Sequence, residues 1–535
     1  MAETYLLHHL VEHSAARDEG RMALTFQDAS LSYGALAAQV TGFASGLLGL
    51  GVGRGDRVGV WLDKRFETVV ASFGASAAGA VFVPLNPLLK AEQVAYILQD
   101  CNVRVLVTSP ERLGLLTEVL RTCRDLQHVV LTGAEPAPAP LPGLTITPWA
   151  EVLAAPRRSA PPVTDSDMLA ILYTSGSTGR PKGVVLSHRN MVTGAKSVAS
   201  YLRNTADDTL LAALPLSFDA GFSQLTTGFH AGARVVLLNY LMPRDVVRAA
   251  ERERVTGLTA VPPLWIQLTQ IEWPAGIASH LRYIANTGGR MPFETLRTLR
   301  ARLPATRPYL MYGLTEAFRA TYLPPEQVDT RPDSIGKAIP NNEVLVLRED
   351  GAPCAPNEPG ELVQRGPLVA MGYWNDAEKT AERFRPLPAG VGGRQAGLVL
   401  PEIAVYSGDT VRMDEEGYLY FIGRRDEMIK TSGYRVSPTE VEEAVYATRL
   451  VAECAAFGVD HDTLGQAIVL IATPRASGEL DPALLLAACR KALPAWQVPS
   501  KVEVRPGPLP RNPNGKIDRK LLSTEYVARS ETAPA

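Results

Sequence analysis

The stretch Tyr173-Thr-Ser-Gly-Ser-Thr-Gly-Arg-Pro-Lys-Gly183 decides how this chain is read. It sets four small hydroxyl residues, three glycines and two cations into eleven positions. Glycines let the backbone turn sharply and bring its N–H groups close to an anion, hydroxyls donate further hydrogen bonds, and Arg180 and Lys182 add positive charge. The composition suits a polyphosphate, with ATP as the candidate. It is not the familiar phosphate loop G-x-x-x-x-G-K-[ST], because Pro181 separates Gly179 from Lys182 and Gly183 follows. Apolar runs flank it, Met168-Leu-Ala-Ile-Leu-Tyr173 and Val184-Val-Leu186, and read as buried strands. The pattern predicts a hairpin tip closing over phosphates rather than the flexible linker that Ser/Gly/Thr-rich segments usually form.

The chain has 535 residues, more than one compact core holds, so at least two domains are expected. It is 46% hydrophobic and 21% charged, with a formal net charge of −2, which gives no basic field for nucleic acid or an anionic membrane. Cys101, Cys123, Cys354, Cys454 and Cys489 lack C-x-x-C spacing and read as buried thiols. His8, His9 and His13 read as surface residues of a first helix. With no leader pattern and no long apolar run, the expectation is a cytoplasmic protein without membrane insertion. Helical and strand patterns alternate over 31–100, as in Tyr33–Val40, Arg57–Leu62, Ala80–Leu85 and Val103–Thr108, and predict a parallel sheet flanked by helices. A Pro/Ala-rich passage, Gly133–Pro162, reads as surface linker with a short structured insert. Strand patterns at Ala231–Leu238 and Leu281–Ala285 imply a second α/β lobe. Ser437, Pro438 and Glu440 predict a helix start with a capping box. Strand, helix and strand follow at Gln466–Ala472, Pro482–Leu493 and Lys501–Val504, in a C-terminal unit of about a hundred residues.

Residues 173–183 resemble the signature of the adenylate-forming superfamily of acyl-CoA synthetases, luciferases and peptide-synthetase adenylation domains. Five further motifs are similar to that superfamily in the same order: Pro215–Gly221, Thr287–Arg290, Tyr312–Glu316, Tyr406–Asp409 and Asn514–Arg519. The segment Tyr312–Pro325 also resembles bacterial AMP-forming acyl-CoA ligases associated with exosortase loci. The resemblance implies an α/β fold with a large N-terminal domain, 1–424, built from two sheet lobes and a small barrel-like part. A small mobile α+β domain, 427–527, would follow a hinge near 425–426 that includes Asp426.

It also implies roles. Thr174, Ser175, Gly176, Ser177, Thr178, Gly179 and Lys182 would hold the triphosphate, and the turn Thr287-Gly288-Gly289-Arg290 would lie along the nucleotide. Tyr312 and Gly313 would sit near adenine, Thr315 would touch phosphate and Glu316 would ligate Mg2+, a cation that prefers oxygen ligands. Asp409 would accept both ribose hydroxyls, a task a carboxylate can perform at once, with Arg424 assisting. Lys516 would meet the charge building on the attacking carboxylate and α-phosphate. Gly433 would line a tunnel for the thiol, CoA or phosphopantetheine.

Phe218-Asp219 is similar to the Phe-Asp pair of amino-acid adenylation domains, where the Asp grips the substrate ammonium. A buried carboxylate is costly unless paired, so a cationic partner is expected, either the substrate amine or Arg319. The same resemblance places Ala220, Ser223, Leu264, Ala285, Thr287, Met311, Arg319 and Ala320 around the acyl group. The expectation is an AMP-forming acid:thiol ligase that uses Mg-ATP, with an amino acid favoured over a fatty or aryl acid. The acceptor would be CoA or a carrier protein's phosphopantetheine arm. The alternatives are a fatty or aryl acyl-CoA synthetase and, from another class, a catalytically silent nucleotide sensor.

Overall fold

The computed structural model describes residues 3–133, 141–174, 181–388, 390–391, 400–424, 427–431, 434–461, 463–475, 479–513 and 515–532. The first lobe is an eight-stranded sheet whose centre is parallel, running Met168–Thr174, Val81–Pro84, Arg57–Trp61, Val103–Thr108 and His128–Leu131. All four residues of Val81–Pro84 are buried, as a strand covered on both faces requires. Thr145–Pro148 adds a parallel edge strand, and the helix Trp149–Leu153 behind it stacks Trp149 on Phe43 at 4.8 Å. This part of the supposed linker therefore belongs to the lobe. Gly46 makes the packing possible, since a Cβ there would lie 2.3 Å from the Val152 carbonyl oxygen.

The second lobe continues the alternation with parallel strands Met22–Phe26, Arg234–Leu237, Thr209–Ala212, Gly257–Ala260, Tyr283–Asn286 and Arg307–Tyr312. From Arg307–Tyr312 the sheet turns antiparallel through Thr321–Leu323 and Ser334–Ala338. It passes into the barrel-like part, made of Glu343–Leu347, Gly360–Arg365, Ile403–Met413 and Leu419–Arg424. Helices Tyr33–Gly49, Phe66–Ala77, His188–Leu202 and Asp219–Ala231 fill the space between the lobes. Phe222 stacks there on Phe82 at 4.9 Å and on Phe73 at 5.9 Å, inside one continuous core. Removing so buried a ring costs about 3–5 kcal/mol, so this seam fixes the two lobes together.

From Ile429 onward the chain builds its own five-stranded sheet and apolar core, with helices Pro438–Ala447, Pro482–Ala492 and Arg519–Thr532. Ser437 precedes the first of these but does not cap it through its side chain. Its hydroxyl bonds Thr439 Oγ1 at 2.7 Å instead, so the expected capping box is not completed. Two other expectations are also corrected. Cys354 is only partly buried, unlike the other four thiols. His8 is half-buried against Ser76 Oγ at 3.1 Å, and desolvation pushes its pKa down to about 3, so it is not a surface residue. Among the described residues no helix is long and apolar enough to cross a membrane.

Candidate active site

The glycine-rich segment sits where two strands meet: Met168–Thr174 and Lys182–Ser187 are antiparallel, with Thr174 opposite Lys182. Continuous apolar runs, buried on both faces, build both strands, and Gly183 is required beside them, since a Cβ there would lie 2.6 Å from Ile171 Cγ2. Residues 175–180, which include Ser175, Gly176, Ser177, Thr178 and Gly179, lie outside the described residues, as do Asp426 and Gly433. Lys182 Nζ lies 5.6 Å from the Tyr373 ring centroid. The Tyr373 hydroxyl donates to Glu316 Oε1 at 2.7 Å. One aromatic residue thus links the lysine of the hairpin to the carboxylate proposed for the metal. Sequence reasoning missed Tyr373, whose only local sign is a Gly-Tyr-Trp run with no periodicity.

Tyr312 ends a central strand, and its hydroxyl donates to Asp409 Oδ2 from across the barrel-like part. Asp409 Oδ1 is buried without a hydrogen-bond partner, while Arg424 Nε stands 3.7 Å from it. Burial raises the Asp409 pKa, and Arg424 and the Tyr312 hydroxyl oppose the rise. An acceptor oxygen held this way suits a sugar hydroxyl, which would supply the missing donor. Gly288 stands at φ +76°, in the left-handed region that glycine reaches without strain. Asn286 Nδ2 ties the turn by donating to the Gly289 carbonyl at 2.7 Å. Arg290 is turned elsewhere: its guanidinium meets Asp333 and lies 3.9 Å from Glu443 of the C-terminal unit.

Lys516 comes from the far end of the chain and reaches this turn. A Cβ on Gly288 would lie 3.1 Å from Lys516 Cε. The loop that carries the lysine is braced, with Lys516 N–H donating to Asn512 Oδ1 at 3.1 Å and Asn512 N–H to the Lys516 carbonyl at 2.8 Å. Arg519, just beyond, donates to both oxygens of Glu442 at 2.8 and 2.7 Å and so anchors the last helix. Asn86 Nδ2 of the first lobe donates to the Pro513 carbonyl at 2.7 Å, which docks the loop. The Lys516 side chain stays open to the cleft, yet protein stands on both sides of it. Desolvation lowers its pKa, and Asp219 and Asp409 pull the other way.

Phe218 is buried and precedes the helix Asp219–Ala231, so Asp219 lies in that helix's first turn, where negative charge is favoured. Asp219 is 8% exposed, and desolvation raises its pKa against the fields of Arg319 and Lys516. Thr315 Oγ1 donates to its Oδ1 at 3.4 Å, which turns Thr315 toward the acid pocket. Among the described residues no salt bridge reaches Asp219. Next to it a narrow cavity, of about 20 Å³, is lined by Ala220, Ser223, Met311 and Arg319, four of the expected residues, together with Gln224 and Tyr283. Thr287 contributes by accepting from Arg319 Nη1 at 2.9 Å. Leu264 packs into the apolar core with Trp265, Ala285 lies within its strand, and the Ala320 N–H donates to the Tyr312 carbonyl at 3.2 Å. Gly313 lets the backbone of Arg319 approach, since a Cβ there would stand 3.2 Å from Arg319 Cα.

Comparison with known proteins identifies the family. A subunit of the linear gramicidin synthase from Brevibacillus parabrevis is 30% identical over 99% of this chain, which spans only 6% of that protein; for another subunit of the same synthase the share is 10%. An L-proline–(L-prolyl-carrier protein) ligase from Streptomyces coelicolor is 31% identical, with 97% of this chain and 96% of that one covered. A long-chain-fatty-acid–CoA ligase from Salmonella typhimurium is 29% identical over 96% and 94% of the two chains. Among solved structures, an anthranilate CoA ligase bound to anthranoyl-AMP superposes with a TM-score of 0.86 at 24% identity, covering 99% of both chains. ATP-bound MatB from Rhodopseudomonas palustris gives 0.83 at 25%, covering 97% and 99%. Residues 11–374 match the model of the AMP-binding enzyme family and residues 440–516 that of its C-terminal domain. By its match to both family models and to these relatives, the chain belongs to the AMP-binding enzymes, the adenylate-forming superfamily of acyl-CoA ligases and adenylation domains.

Proposed function

We propose that this AMP-forming acid:thiol ligase activates an amino-bearing carboxylic acid and passes its acyl group to the thiol of a phosphopantetheine arm or of CoA. The observation that carries the substrate reading is Asp219, a buried carboxylate next in sequence to Ala220 of the cavity wall, whose pKa is raised and to which no described cation is salt-bridged. An ammonium group placed there would add a charge-assisted hydrogen bond and an opposite charge in contact with it. A hydrocarbon acid would leave the carboxylate with no opposite charge in contact.

In the first step a carboxylate oxygen of the acid bonds to the α-phosphorus of ATP, the bond from that phosphorus to the bridging oxygen breaks, and pyrophosphate leaves. Lys516, held beside Gly288, is positioned to offset negative charge on the attacking carboxylate and α-phosphate. Asp409, fixed by Tyr312, would hold the ribose, and Lys182 the triphosphate. Glu316 fits Mg2+, since it offers a hard oxygen oriented by Tyr373, and the bound ion would neutralise charge on the phosphates. In the second step the thiol sulfur attacks the acyl carbon, AMP leaves with the bonding electrons, and the thiol proton passes to solvent. No covalent enzyme intermediate is required, which fits a site of cations, hydroxyls and glycines without a nucleophile triad.

The test is acid-dependent ATP–pyrophosphate exchange over paired substrates, each amino acid against its deaminated analogue. Exchange is expected with the amine-bearing member, and Asp219→Ala should abolish the preference. Equal exchange with both members of every pair, or tight ATP binding without exchange across the panel, would overturn the reading.

A further inference from the structure

Arg319 is buried to 3% exposure in the wall of the acyl cavity. Its Nη1 donates to Thr287, but its Nε is buried with no hydrogen-bond partner, and among the described residues no carboxylate forms a salt bridge with it. A buried guanidinium with a single neutral contact is expensive, and proteins rarely keep one without a ligand or a counter-ion. The nearby backbone is built to aim it there. Phe318, the residue before it, stands at φ +54°, in the left-handed region that a bulky side chain seldom adopts. Gly194 makes room for the Phe318 ring, since a Cβ there would lie 2.3 Å from Phe318 Cδ1. Gln364 Nε2 donates to the Arg319 carbonyl at 2.7 Å and to the Ala317 carbonyl at 3.3 Å, which locks the kink.

The charges around the cavity point to what completes it. Lys516 is positioned for the reacting carboxylate and Asp219 for the amine, so a simple amino acid would engage both and leave the Arg319 guanidinium with only the distant field of Asp219 and no carboxylate in contact. We propose that the substrate carries a second carboxylate on its side chain, and that Arg319 receives it through Nε and Nη groups in the fork geometry that matches a carboxylate. The substrate class is a short amino dicarboxylic acid, and the step rests on the reading of Asp219 given above. Tyr283 favours a short tail. Its ring occupies the space beside Gly257, where a Cβ would lie 2.4 Å from the Tyr283 hydroxyl oxygen, and so closes one wall of the cavity.

Pyrophosphate exchange with the wild-type protein tests this on aspartate and glutamate, their side-chain amides, leucine, and the amine-free diacids succinate and glutarate. The amino diacids are expected to exceed the amides and leucine by at least about 100-fold in kcat/KM, because a site built for one polar group rejects its neutral analogues strongly. Arg319→Leu should erase that preference and Arg319→Lys should weaken it by about tenfold, with ATP binding retained in both as the check on folding. Preference for amides or leucine in the wild type would overturn the role of Arg319 while leaving the amine reading intact. Equal use of succinate or glutarate would overturn the amine reading and leave Arg319 in place.

Discussion

Gly288→Ala is the most informative single substitution. The new Cβ would stand 3.1 Å from Lys516 Cε and 3.2 Å from Val261 Cγ1, closer than ordinary van der Waals contact, and the backbone there is at φ +76°. An alanine held in the left-handed region costs about 1–2 kcal/mol, which lowers stability modestly. The flexible lysine, not the buried Val261 at the start of a helix, is the neighbour expected to yield, which would move its ammonium away from the nucleotide. Misplacing a reacting group by about 1 Å costs roughly 100-fold in rate, equivalent to about 2.7 kcal/mol. Pyrophosphate exchange should therefore fall by about two orders of magnitude while the protein remains folded by circular dichroism. Repeating the change in a Lys516→Ala background separates the explanations, because two substitutions that act through one group do not add. In that background Gly288→Ala should cost less than about threefold. A full additional 100-fold loss would mean that the turn matters for the nucleotide itself and that Lys516 is not what Gly288 accommodates.

Further expectations concern three other groups. Lys516→Ala should suppress adenylate formation by at least about 100-fold yet leave transfer from preformed acyl-adenylate to thiol within a fewfold, and equal losses in both half-reactions would refute the assignment. Tyr312→Phe removes the donor to Asp409 Oδ2 and should raise KM for ATP about tenfold with little change in KM for the acid, since hydrogen bonds to charged groups contribute about 1.5–3 kcal/mol. Lys64 is buried, donates to the carbonyls of Ala213 at 2.9 Å and Leu214 at 3.4 Å, and has its pKa pushed down to about 7 by desolvation. Between that value and the ordinary lysine range near 10.5 the unfolded chain binds more protons than the folded one, so stability rises with pH through this window. The wild type should gain about 1.4 kcal/mol per pH unit from pH 7 to 9 relative to Lys64→Met, measured by urea unfolding, and parallel pH profiles would show that the group is not titrating.

The features that local pattern encodes were legible in the sequence. Apolar runs place the strands on either side of the glycine-rich segment, with Thr174 facing Lys182, and buried runs such as Val81–Pro84 mark a parallel sheet. Parts of the site made by distant contacts were not legible. Tyr373 meets Glu316 across 57 positions, Asn86 meets Pro513 across 427, and no periodicity links either pair. The turn at Phe318 was hidden for another reason. Its positive φ depends on space left by Gly194 on a separate helix, so neither residue signals it alone. The Ser437 cap failed because a neighbouring hydroxyl competes for the same side chain, a choice that residue type does not settle. Arg290 shows the same limit, since Asp333 and Glu443 draw it toward the C-terminal unit.

The C-terminal unit is tethered to the large lobes largely through polar contacts: Asn86 to Pro513, the Phe293 N–H to Glu443 at 2.9 Å, and Arg449 to Glu294 at 2.7 Å. The ion pair Arg449–Glu294 is of the partly exposed kind that contributes about 0–1 kcal/mol and weakens as salt screens it, whereas the neutral Asn86–Pro513 tie is insensitive to salt. Rising ionic strength should therefore loosen the helix-side ion pair first and leave the uncharged tie beside the tail loop in place.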